Sequence, residues 1–171
     1  MISMGRERDD VEHISHLLTD AFERIQRERM TGLPILHPCL SVAVVGALEW
    51  QGDWLGVLIT PWCMNLVLVP RPGSVHAPEP TGARQFIGLP AGRYELIASA
   101  ADGIGPFAAC SLHSPMSGFA DHASAVAAAE AVIAELFEPT PCPSDGERRA
   151  SPGRSGLSRR DLLRGNLRRG H

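Results

Sequence analysis

The 171-residue chain has no lysine, a single tyrosine and no C-x-x-C pair among its four cysteines. Without a tight cysteine pair, a rubredoxin or zinc-ribbon centre is excluded, and the wide spacing of Cys39, Cys63, Cys110 and Cys142 predicts free thiols rather than a disulfide framework. Nor is there an apolar run of the roughly 18 to 20 residues that a membrane-spanning helix needs. Gln51, Asp53, Pro61, Asn65 and Pro70 interrupt the most hydrophobic stretch, so an integral membrane protein is not expected. The first ten residues are charged and lead into an amphipathic pattern, unlike an export signal, which predicts a cytoplasmic protein. No G-x-S-x-G elbow is present, and Gly103-Ile104-Gly105 lacks a third glycine and runs into Pro106, so neither serine hydrolysis nor nucleotide binding has a motif to carry it. The lack of lysine carries no mechanism by itself.

What is present is unevenly charged. Residues 1–143 hold 8 arginines against 16 acids, a charge of −8, whereas residues 144–171 hold 8 arginines against 3 acids, a charge of +5. The organisation expected is a domain over 1–143 and a basic, arginine-rich tail over 144–171, too rich in Gly, Ser, Pro and Arg to offset the entropy of ordering.

Val11, Ile14, Leu18, Ala21, Phe22 and Ile25 recur at helical steps and predict an amphipathic helix over about 9–30, stopped at Thr31-Gly32. Strands are expected at about 41–50, 54–60, 64–69, 85–89, 93–101 and 107–112, divided by glycine- and proline-containing turns. The segment from Arg71 to Gly82 carries Pro72, Pro78 and Pro80 and reads as a surface connection. Asp121 is placed to cap a second, alanine-rich helix to about Glu138, where Pro139 and Pro141 follow. The fold class is therefore α+β: a mainly antiparallel sheet of five or six strands, with an N-terminal and a C-terminal helix both expected on one face.

Chemistry-bearing residues are sparse. Cys39 lies two residues from His37 and Cys110 three from His113, so a metal- or thiol-dependent module using Cys39, Cys110 and His113 is the alternative reading. The missing ligand pair and the placement of Cys110 within a strand pattern argue against it, and neither a metal nor any other cofactor is expected. Trp50, Trp54 and Trp62 fall within thirteen residues. Core packing is the default for such side chains, yet a strand-end tryptophan beside proline also lines recognition grooves. Met116, in Ser114-Pro115-Met116, could adapt to a variable apolar partner. In the tail, Ser158-Arg159-Arg160-Asp161-Leu162-Leu163 has the pattern of a twin-arginine export motif, but its terminal position deprives it of the apolar segment an export signal needs. Binding of nucleic acid through this tail is disfavoured, because the acidic body would repel phosphate.

Taken in order, Leu36-His37-Pro38, Trp54 with Gly56, Ile59-Thr60-Pro61-Trp62, Leu89-Pro90-Ala91-Gly92 and Cys110 through Met116 resemble the [NiFe]-hydrogenase assembly chaperone family of the HybE/HupJ type over about residues 11–138. The resemblance implies an accessory protein without catalysis, which binds a hydrogenase small and/or large subunit precursor, including a small subunit bearing a twin-arginine signal, and works with other hydrogenase accessory proteins. On it rests the expectation that His37, Pro38, Trp54, Thr60, Pro61, Trp62, Ser114, Pro115 and Met116 form the partner-binding surface. Carboxylates to receive a signal's arginines are expected among Glu49, Asp53, Glu95 and Asp102. The tail motif Ser158, Arg159, Arg160, Leu162 and Leu163 is read as a mimic of the client's signal.

Overall fold

The structure, a computed structural model, describes residues 3–139. The arginine-rich tail, its expected lack of order, the Ser158–Leu163 motif and Cys142 lie outside the described residues. Helix α1 (Ser3–Ile25) continues into a π-helical turn, Gln26–Met30, and ends where Gly32 takes φ +82°. Six strands follow: β1 (Ala43–Trp50), β2 (Asp53–Ile59), β3 (Met64–Val69), β4 (Arg84–Leu89), β5 (Gly92–Ala101) and β6 (Gly105–His113). Helix α2 (His122–Phe137) comes last, capped by Asp121, whose side chain accepts from Ser124 N in a reciprocal capping box.

All strand pairs are antiparallel, in the order β1-β2-β3-β6-β5-β4, so two three-stranded meanders join through β3 and β6. The β1–β2 turn places Gln51 at φ 53° and Gly52 at φ 87°, the two positive values a primed hairpin turn requires. Gly46 sits in a bulge where the β1 register shifts between Val45 and Leu48. Its φ is +64°, and a Cβ there would stand 2.9 Å from Ile133 Cγ1, so α2 approaches β1 through the missing side chain.

The helices lie on opposite faces of the sheet, not on one as the sequence reading has it. Trp54, Leu58, Val67 and Val69 join Leu18 of α1 in one core, whereas Leu55, Val57, Ile59, Leu66 and Leu68 join Ala125, Ala129 and Leu136 of α2 in the other. The physical reason is visible in β2 and β3. Nearly every residue is apolar rather than every second one, so both sides of these central strands need cover.

The sheet curls around α2 until its outermost strands meet. Trp50 Nε1 of β1 donates to the Gly88 carbonyl of β4 at 3.2 Å, and the Trp50 ring stands edge-on to Phe137 at 5.1 Å. On the α1 face, β4 and β5 remain uncovered: Phe86 and Ile97 are exposed, the Arg93 guanidinium lies 4.2 Å over the Phe86 ring, and Arg84 pairs with Glu95.

Candidate functional site

Three loops converge at the end of the sheet where β2 finishes and β3 begins. The loop before β1 brings His37, whose N–H donates to the Pro61 carbonyl at 2.8 Å. His37 Nδ1 accepts from Cys39 N at 3.2 Å, which leaves Nε2–H as the donor to the Phe119 carbonyl at 2.9 Å. His37 thus ties the 31–40 loop to the β2–β3 corner through its backbone N–H and to the loop after β6 through its imidazole.

The corner itself is organised by Thr60, which is fully buried. Its Oγ1 accepts from Cys63 N at 2.9 Å and from Trp62 N at 3.3 Å while donating to the Cys63 carbonyl at 2.9 Å. This hydroxyl satisfies the turn that a proline at position 61 leaves short of one donor, and it sets Trp62 half-exposed at the rim. Opposite, Ser114 and Pro115 are exposed and joined by a cis peptide bond, and the His113 ring stands edge-on to Phe119 at 5.1 Å. Pro38, Cys39, Leu33 and Ile35 complete an exposed apolar lip.

Of the residues singled out by sequence, the structure brings together His37, Pro38, Thr60, Pro61, Trp62, Ser114, Pro115 and Met116. Thr60, Pro61 and Met116 are buried and shape the loops from beneath; Met116 is 0% exposed and belongs to the α2-side core. Trp54 stands about 20 Å away at the other end of β2. It is 0% exposed under α1 and donates from Nε1 to the Val11 carbonyl at 3.1 Å. Leu33 and Ile35, which the sequence reading passed over, carry the exposed apolar area. Their signal was two apolar residues around a proline just past a helix stop.

The four carboxylates considered for arginine binding differ sharply. Asp53 is fully buried and taken up by its own fold, accepting from Arg71 N at 2.9 Å, Ser74 Oγ at 2.6 Å and His76 Nδ1 at 2.7 Å. Glu49 is engaged by Arg71 at 3.0 Å and Glu95 by Arg84 at 3.4 Å, while Asp102 is exposed at the β5–β6 turn. The alternative metal or thiol site is not assembled. Among the described residues no three His, Cys, Asp or Glu side chains gather around one point. Cys110 faces the α2-side core, and burial raises its thiol above the usual range, with Glu95 adding to the shift. Burial likewise raises Cys63, against the lowering hydrogen bonds from Thr60 and Asn65.

A rigid curled sheet, buried on both faces through its centre and presenting braced loops with apolar tips, has the design of a binding protein. Comparison with known proteins gives that class its family. A family model described as the [NiFe]-hydrogenase assembly chaperone HybE matches residues 13–165, and the chain belongs to this family. The match extends beyond the motifs read above and takes in the tail through Ser158–Arg164.

The chain is 41% identical over 154 residues to the hydrogenase expression/formation protein HupJ of Bradyrhizobium diazoefficiens, covering 88% of this chain and 87% of that one. It is 42% identical over 148 residues to the hydrogenase expression/formation protein HoxT of Azotobacter vinelandii, covering 85% and 91%. The solution structure of HybE from Escherichia coli is similar at a TM-score of 0.61 and 26% identity, over 84% of this chain and 91% of that chain. The function is that of a hydrogenase assembly chaperone, which is not a catalytic one. No helix among the described residues is long and apolar enough to cross a membrane.

Proposed function

We propose that this chain binds a precursor subunit of a [NiFe] hydrogenase in the cytoplasm, before export, through the loop end built on His37, Thr60 and Phe119, and that the twin-arginine signal-bearing small subunit is the client. The carrying observation is the double hydrogen bonding of His37, which holds two separate loops against the Thr60–Trp62 corner, and on those loops Leu33, Ile35, Pro38 and Pro115 are exposed. Apolar lips on rigid, satisfied backbones recognise immature protein surfaces well, because little loop entropy is lost on docking.

The work expected of such a surface is retention rather than reaction. The acidic body draws in an arginine-bearing client, and the apolar lip covers surface that the mature enzyme will bury. The test is capture of purified precursor small and large subunits by the full-length protein, compared with Ile35→Asp and Pro115→Asp variants at equal far-UV dichroism. Retention of a precursor that drops about tenfold or more in either variant supports the reading, since introducing a charge in an apolar contact costs on the order of 1.5 to 3 kcal/mol. Capture of neither subunit, or capture indifferent to both substitutions, refutes it.

A further inference from the structure

A second recognition site lies away from the loop end, where the C-terminal part of α1 and its π-helical turn face the β5–β6 turn. The cavity there has a volume of about 310 Å³. Its floor is apolar, made by Ala21 and Ile25 of the helix and Ala100 and Ala101 of the strand. Around it stand four charged side chains from two separate elements: Arg24, Glu28 and Arg29 on the helical side and Asp102 on the turn. None of the four takes part in an ion pair or hydrogen bond among the described residues, although Arg24 and Glu28 are spaced for one. Charges of both signs, left unpaired around a greasy floor, suit a short peptide that itself carries both signs and a pair of apolar residues.

We infer that this cavity receives the chain's own segment Ser158–Arg164. The segment reads Ser-Arg-Arg-Asp-Leu-Leu-Arg. Arg159 and Arg160 answer Glu28 and Asp102, Asp161 answers Arg24 and Arg29, and Leu162 and Leu163 provide the apolar pair for the floor. Guanidinium–carboxylate pairs of this kind carry geometric specificity beyond their charge.

The covalent reach suffices. The described chain ends just past α2, beside the β4–β5 turn, where Ala91 N donates to the Leu136 carbonyl at 3.1 Å. From there β5 runs Gly92 to Ala101, about 30 Å, to the cavity. The 20 residue steps from Pro139 to Arg159 span about 66 Å when extended, more than enough to pass from the α2 side to the α1 side. The family match also runs through this segment, to residue 165, rather than ending at α2. The inference goes beyond the chaperone reading and stands without it, since no client takes part.

Tethering supplies an effective concentration of about 1 mM, so an intrinsic Kd of about 0.1 mM keeps the segment docked about nine-tenths of the time. In the full-length protein, limited trypsin digestion after Arg159 is then expected to proceed about tenfold more slowly than in a Glu28→Arg/Asp102→Arg double variant, while cleavage after Arg149 is equal in the two. Adding Arg159→Glu and Arg160→Glu to the double variant restores the contact, read by photo-crosslinking from a benzophenone amino acid at Leu163. Adducts within the same molecule to residues 21–29 or 100–105, present in the wild type, lost in the double variant and regained in the quadruple one, support docking. Equal digestion after Arg159 in the two proteins, adducts mapping elsewhere, adducts to a second copy, or no adduct would each overturn it.

Discussion

Asp53 shows how one carboxylate can be mistaken for a binding group. By composition it is an acidic residue in a turn; in the fold it is 0% exposed and serves three donors from the Pro70–His76 segment. Its role is to pin a proline-rich connection that cannot form a ladder of its own. Replacing it by alanine orphans those donors, so Asp53→Ala is expected to lower unfolding free energy by about 3 kcal/mol, read as a lower urea midpoint at unchanged slope. The cysteines offer a second prediction at this scale. Cys39 is exposed, whereas burial raises the thiols of Cys63 and Cys110 and suppresses their thiolate. With a disulfide reagent at neutral pH, peptide mapping is expected to find Cys39 modified well before Cys63 and Cys110, and equal rates would contradict the burial of the latter two.

At the scale of elements the sequence was legible wherever a period or a punctuating residue marked it. All six strands lie within two residues of their expected positions, because Gly52, Pro90-Ala91 and Asp102-Gly103 mark the hairpins. The side taken by each helix differs from the expectation of one shared face, and β2 carries the reason: Trp54 through Ile59 without alternation is buried on both faces. Helix α2 was read correctly from its cap. The Ser124 backbone N–H bonded to the Asp121 carboxylate, with help from the Ser124 hydroxyl, lowers that carboxyl's pKa below its ordinary value. Because the folded value is the depressed one, the cap's contribution is present above the unfolded carboxylate range, about 3.9, and is lost as the pH falls through the folded value. Asp121→Ala should therefore lower the thermal midpoint near pH 6 and leave a smaller gap from wild type toward pH 3. A gap that widens on acidification would reverse this assignment.

At the scale of the whole molecule, neither the curl of the sheet nor the grouping of the loops could be read from periodicity. Both depend on contacts distant in sequence, Trp50 with Gly88 and His37 with Phe119. The motif resemblance named most of the loop residues but could not separate Trp54, which holds α1 to the sheet, from Trp62 at the rim. Net charge, by contrast, was readable from the beginning and has a kinetic consequence. A body of −8 over residues 1–143 would attract the proposed arginine-bearing client over distances comparable to the Debye length, which shrinks from about 10 Å at 0.1 M salt to about 3 Å at 1 M. On the proposed reading the apolar lip would act only after contact, and burial of apolar surface is insensitive to modest salt. Association with a precursor carrying the twin-arginine signal is accordingly expected to slow by about tenfold between 0.05 and 0.5 M sodium chloride, with the dissociation rate changed far less. Surface-immobilised full-length protein and flowing precursor give both rates. A salt effect confined to dissociation would mean that buried ion pairs, not the field of the acidic body, dominate the encounter.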